Sequence, residues 1–137
     1  MTLVDSNVVL DIVTNDDTWA GWSQAQLEQA AAVGSLVIND VIYAEISTRY
    51  RTIEAVDAML EELEIDVANI PRSALFLAGK AFLRYRALGG IRTGVLSDFF
   101  IGAHAAVEQR PLLTRDARRY RTYFPTLELI TPEEGER

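Results

Sequence analysis

Short runs of apolar residues alternate along this chain with longer stretches in which apolar side chains recur every three or four positions. Residues 1–4 read as a short buried strand and 7–13, NVVLDIV, as a helix. The polar stretch TNDDT at 14–18 is a loop, and WAGWSQAQLEQAAAV at 19–33 an amphipathic helix ended by Gly34. SLVI at 35–38 gives a second strand, with Asp40 the expected cap of a helix running to about Tyr50. In 52–64, Ile53, Val56, Met59, Leu60 and Leu63 fall at helical spacings of three and four.

The second half repeats the alternation. IDVANI at 65–70 is a short extended piece, and Pro71 suits the first turn of a helix to Leu88, which Gly89 and Gly90 stop. The loop GGIRTGVL leads to Ser97, Asp98 and the helix FFIGAHAAVEQ, which Pro111 breaks. Leu112, Leu113 and Thr114 form a third buried strand, RDARRY a helical turn, LELI at 127–130 a last strand, and a polar tail follows. No repeat or linker interrupts the pattern, so a single domain over 1–137 is expected. Short apolar strands alternating with helices imply an α/β fold whose parallel sheet is covered on both faces. Such sheets bind ligands at the carboxyl ends of their strands, at a topological switch point, so the chemistry is sought there.

Composition narrows the picture. A chain of 137 residues, 49% hydrophobic, can bury one real core. It has no cysteine, which removes disulfides and thiolate metal sites. Neither a leader-like segment nor a membrane-length apolar run is present in the sequence, so a cytoplasmic protein without membrane partners is expected. The net charge of −7 argues against simple attraction to a phosphate backbone. Yet Arg110, Arg115, Arg118, Arg119 and Arg121 crowd around one acid, Asp116. The planar fork of arginine suits phosphate or carboxylate; the alternative is an exposed segment merely solvated by its charges.

Four acids occupy telling places. Asp5 ends the first strand, and Asp116 lies two residues beyond LLT, again at a strand-to-helix junction. Asp98 heads a helix that is apolar nearly all round and therefore packed inside. Gly102, one turn on, would let another backbone come close. Glu45 falls four residues after Val41 and three after Ile42, on the apolar face of its helix. There it either pairs with Arg49 or faces a cation shared with other acids, because burying a lone carboxylate is costly. Singly, Asp5, Asp98 and Asp116 could be helix caps. Together, carboxylates within several Å of one another need a compensating charge, and a hard divalent cation, Mg²⁺ or Mn²⁺, is the natural one. Such a site can activate water against a phosphodiester.

Other chemistries find less support. No GxxxxGK[ST] or GxGxxG element occurs, and no serine has a histidine at a spacing that suggests a triad. His104, the only histidine, sits inside the apolar helix and reads as packed or hydrogen-bonded. Trp19 and Trp22 share a helical face that suits the core or a protein contact better than base stacking.

The elements LVDSNVVLDI, VIYAEIS, LSDFFIGAHA and LLTRDARRYRTYF, in this order, resemble the signature segments of PIN domains, and among them the VapC-type toxins of toxin–antitoxin modules. The resemblance covers essentially the whole chain. It implies a three-layer α/β/α sandwich around a parallel sheet and a Mg²⁺- or Mn²⁺-dependent endoribonuclease acting on RNA. Asp5, Glu45, Asp98 and Asp116 match the four metal-binding acids, Thr114 the hydroxyl that orients the site, and Ser6 and Asn7 the polar residues after the first acid. Asn7, Arg115, Arg118 and Arg119 become candidates for substrate contact. A homodimer and a cognate antitoxin, with its C-terminal segment in the active-site groove, are implied as partners. Asp40 departs from the pattern, standing where a small hydroxyl residue is commoner. Two rivals remain: an aspartyl-phosphate module, for which Lys80 is badly placed in mid-helix, and a non-catalytic PIN-like module whose acids bind a structural ion or a partner's arginines.

Overall fold

The structure is a computed structural model and describes residues 1–92 and 95–132. The expected loop GGIRTGVL and the polar tail therefore lie partly outside the described residues.

Five strands form one sheet in the order β3-β2-β1-β4-β5, all parallel. They are β1 (Thr2–Val4), β2 (Leu36–Asn39), β3 (Ile65–Ala68), β4 (Leu112–Leu113) and β5 (Leu129–Ile130). The helices are α1 (Ser6–Val13), α2 (Ala20–Val33), α3 (Asp40–Ser47), α4 (Ile53–Glu62), α5 (Arg72–Ala87), α6 (Leu96–Val107) and α7 (Arg118–Tyr123). β1, β2 and β4 are buried along their whole length, as strands covered on both faces must be. The result is the expected three-layer α/β/α sandwich.

The register explains why the site lies where it does. Leu3 pairs with Val37 on one side and Leu112 on the other, and Val4 pairs with Leu113. The chain builds outward from β1 through β2 to β3, then returns to place β4 on the opposite flank of β1. The topological switch point is thus between β1 and β4, and the residues just beyond their carboxyl ends are Asp5 and Thr114. Asp5 N–H donates to the Leu113 carbonyl at 2.9 Å, which fixes the two strand ends together.

Several details differ from expectation. The cap of α3 is Asn39, whose side chain accepts from Ile42 N–H; Asp40 opens the helix instead, with its side chain exposed. The extended piece at 65–70 is a true strand at the sheet edge, where Asp66 and Val67 face solvent and break the apolar run. The stripe of α2 is narrow, with only Ser23, Leu27 and Ala30 buried. Gln109, just beyond α6, takes a left-handed backbone (φ 53°) to turn the chain toward β4.

An aromatic cluster joins α5, α6 and α7. Phe99 of α6 lies 5.2 Å from the Tyr123 ring and 5.6 Å from the Tyr85 ring, centroid to centroid. It sets the distance between α6, which carries Asp98, and α7, which carries the arginines.

Candidate metal centre

Asp5 is the best-defined member of the site. It is 5% exposed, and its Oδ1 accepts from Ser6 N–H at 2.7 Å, the capping bond of α1. Its Oδ2 accepts from the hydroxyls of Thr114 and Tyr120, each at 2.9 Å. The cap reading and the site reading therefore use different oxygens of one carboxylate. With two donors on Oδ2 and one good donor on Oδ1, the open lone pair is on Oδ1. Asn7 completes the seat: its Nδ2 donates to Thr114 Oγ1 at 3.2 Å, and its Oδ1 accepts from Arg115 N–H at 3.3 Å.

Glu45 reaches the same rim from α3. Ser6 Oγ donates to its Oε1 at 3.0 Å, and of the two alternatives the pairing with Arg49 does not form. Asp98, in the first turn of α6, accepts from an Arg119 guanidinium N–H. Asp116 is exposed and lies on the same cleft as Asp98 and Arg118, a hollow of about 480 Å³.

Burial dominates the electrostatics of these acids, with a smaller contribution from one another. Burial is the main reason that the Asp5 carboxyl is pushed up to about 6, with Asp98 and Glu45 adding repulsion against the lowering effect of Thr114 and Tyr120. Burial also raises Glu45, helped by Asp98, and raises Asp98, helped by Asp116. Asp5 thus feels Asp98 and Glu45, Glu45 feels Asp98, and Asp98 feels Asp116.

The family model of the PIN domain matches residues 2–125. This chain belongs to the PIN-domain family. Curated proteins give no significant sequence match. Among solved structures, VapBC2 of Rickettsia felis, crystallised with a DNA fragment from its promoter, is 17% identical at a TM-score of 0.72, over 96% of this chain and 98% of that one. VapBC-1 of nontypeable Haemophilus influenzae is 16% identical at 0.71, over 95% and 96%. A toxin–antitoxin complex of Klebsiella pneumoniae is 18% identical at 0.66, over 98% and 99%. At these identities the likeness is one of fold.

The donor set of this PIN domain suits a hard divalent cation: it is all oxygen, buried in part and short of positive charge. The geometry is not a finished cage. Among the described residues no three acids stand close enough to hold an ion as they are, and Asp98 is paired with Arg119. Of the substrate candidates, Arg118 is exposed and borders the cleft. Arg115 points elsewhere: it forks onto buried Asp11 at 2.7 and 3.0 Å and lies over the Trp19 ring at 5.6 Å. Its charge holds α1 and α2 to the loop after β4, with Ser23 Oγ also donating to Asp11.

Tyr120 is the site residue that sequence reasoning missed. It lies on the buried side of α7 and reads as an ordinary core aromatic until its hydroxyl is seen on Asp5. Gly102 is its accomplice, in a role other than the expected backbone approach. A Cβ there would stand 2.5 Å from the Phe124 ring and 3.0 Å from the Tyr120 ring. Glycine makes the room that lets Tyr120 reach the rim.

Proposed function

We propose that this PIN domain is a Mg²⁺- or Mn²⁺-dependent endoribonuclease, the toxin of a VapBC-type toxin–antitoxin pair. The observation that supports the reading is that Asp5, Glu45 and Asp98 lie around the β1/β4 switch point with carboxyls raised by burial and by one another, and that Asp116 borders the same cleft as Asp98. Family membership supports nuclease chemistry, and solved structures of similar fold include VapBC and toxin–antitoxin complexes.

Asp5, Glu45, Asp98 and Asp116 would hold the cation. A bound divalent ion supplies Lewis-acid polarisation of the phosphate and a water of lowered pKa. The chain's own groups do the rest. Thr114 and Tyr120 fix the orientation of Asp5 and keep one of its oxygens occupied. Ser6 holds Glu45, a carboxylate that can receive a proton from the attacking water. Arg118 and Arg119 border the cleft through which a phosphate backbone would pass. As water's oxygen joins phosphorus and the P–O3′ bond breaks, the products carry a 5′-phosphate and a 3′-hydroxyl.

The partners follow the same reading: RNA as substrate, an antitoxin as inhibitor, and a second copy of the chain. One observation favours the rival of a binding module without catalysis, namely that Asp98 is already paired with Arg119. Cleavage of RNA with Mg²⁺ or Mn²⁺, with EDTA, and with Asp5→Asn or Asp98→Asn separates the two. Activity that survives EDTA and both substitutions rules out the metal-nuclease reading, and no activity at all with Mg²⁺ or Mn²⁺ favours the module.

A further inference from the structure

The arginine that borders the cleft is bound to one of the acids, and this arrangement has a consequence for how the site loads. Arg119 NH1 donates to Asp98 Oδ2, and the guanidinium rests 5.9 Å from the Tyr85 ring centroid. Both side chains are largely shielded, 27% and 32% exposed. Among the described residues it is the one cation in an ion pair with the rim. Arg115 is bound to Asp11 and Arg110 to Glu108. A single guanidinium therefore stands against four carboxylates, and it stands on an oxygen that a cation would use.

We propose that Arg119 is a built-in competitor of the divalent cation: it neutralises Asp98 in the metal-free protein, and cation loading releases it into the adjoining cleft to bind an RNA phosphate. The proposal rests on the metal-nuclease reading and adds to it an order of events. The backbone of α7 is fixed from below, because Tyr120 is buried against the rim and half-buried Tyr123 packs on Phe99. Only the Arg119 side chain has to swing, about a stationary Cα. The space it would enter is the hollow of about 480 Å³ bounded by Asp98, Arg118, Thr122 and Tyr123. Before loading, the arm suited to phosphate is tied to Asp98, and the rim repels a polyanion. After loading, the rim has gained positive charge and the arm is free. Metal and RNA then bind with positive coupling, and the coupling acts equally in both directions.

The test is calorimetric titration of Mg²⁺ into the full chain stripped with EDTA, comparing wild type, Arg119→Gln and Arg118→Gln. Removing a charge-assisted bond that the ion must break should make Arg119→Gln bind Mg²⁺ roughly tenfold more tightly. Arg118→Gln, which removes the same charge from the same cleft without an ion pair, should stay within about twofold. Equal or weaker Mg²⁺ binding by Arg119→Gln overturns the proposal, as does an equal gain in both variants. If Arg119→Gln does not fold, Arg119→Lys decides in its place, because it loses the guanidinium N–H on Asp98 Oδ2 and the planar face beside Tyr85, and should bind Mg²⁺ more tightly than wild type. An unchanged constant for a folded Lys variant then overturns the proposal. Failure of the parent reading looks different: wild type itself shows no Mg²⁺ heat at millimolar concentration.

Discussion

Two of the clusters of buried polar side chains in this domain are built on opposite principles. The first links β2, α3 and α6. Asn39 Oδ1 accepts from Ile42 N–H, so its Nδ2 is the donor to His104 Nδ1 at 3.1 Å. That assigns the ring proton to Nε2, which donates to Glu108 Oε1 at 2.9 Å, and Arg110 Nε pairs with the same oxygen at 2.8 Å. Along the line from Asn39 through His104 to Glu108 each donor meets an acceptor, while Arg110 Nη1 at its end is buried without one, and burial lowers the His104 pKa and favours the neutral ring. The second cluster, at the switch point, gathers acids whose pKa values are raised and leaves them short of positive charge. A satisfied network holds elements in place; an unsatisfied one marks where something else must bind.

The strongest way to break this contrast is to neutralise the acids. Asp5→Asn and Asp98→Asn are each expected to cut RNA cleavage more than about a hundredfold while the protein stays folded, as judged by circular dichroism. Loss of folding instead would mean that the acids are structural like the first cluster.

The second prediction concerns pH. Folded Asp5 holds its proton more tightly than the unfolded chain does, so unfolding releases a proton between about pH 4 and 6. Raising the pH through that window destabilises the metal-free protein, by about 3 kcal/mol for a shift from 3.8 to about 6. Urea unfolding in EDTA should show Asp5→Asn equal to wild type near pH 4 and more stable by that order at pH 7. His104 acts with the opposite sign: its folded pKa is lowered, so stability falls as the pH drops below about 6.5. A wild-type profile that Asp5→Asn leaves unchanged would remove the difference between the clusters.

Smaller effects sharpen it. Asn39→Ala removes the cap of α3 and strands His104 Nδ1, for an expected loss of about 2 kcal/mol in urea unfolding. Its Mg²⁺ affinity should stay within about twofold, because Asn39 touches none of the acids. Tyr120→Phe deletes one donor to Asp5 and should cost about 1 kcal/mol at pH 7. It should also raise the apparent Asp5 pKa above that of wild type, measurable by carboxyl NMR titration. A value unchanged or lowered would deny Tyr120 its part in the site.

The sequence carried the sandwich because its central strands are short apolar runs and its helices keep a three-to-four spacing. What it hid was set by tertiary position. β3 looked merely extended because an edge strand exposes Asp66 and Val67, and Asn39 was overlooked as a cap because it is also the last residue of a buried strand. The acids at 5 and 116 were legible from strand ends, and Glu45 from a helical face. Its partner was not, since Ser6 is 39 residues away and Arg49 was nearer in the chain. Arg115 looked like a phosphate ligand because nothing local reveals that Asp11, 104 residues earlier, takes its fork. Tyr120 and Gly102 obey the core pattern, and only their meeting with Asp5 and with each other gives them a role.

The most direct measurement is a crystal structure grown in millimolar Mn²⁺, with an anomalous difference map over the carboxyl ends of β1 and β4. The expected result is one or more Mn²⁺ peaks ligated by Asp5 Oδ1 and by Asp98, with Asp98 no longer on Arg119. A map without a peak on that rim, with the Asp98–Arg119 pair still closed, would contradict the claim that these carboxylates converge to hold a cation.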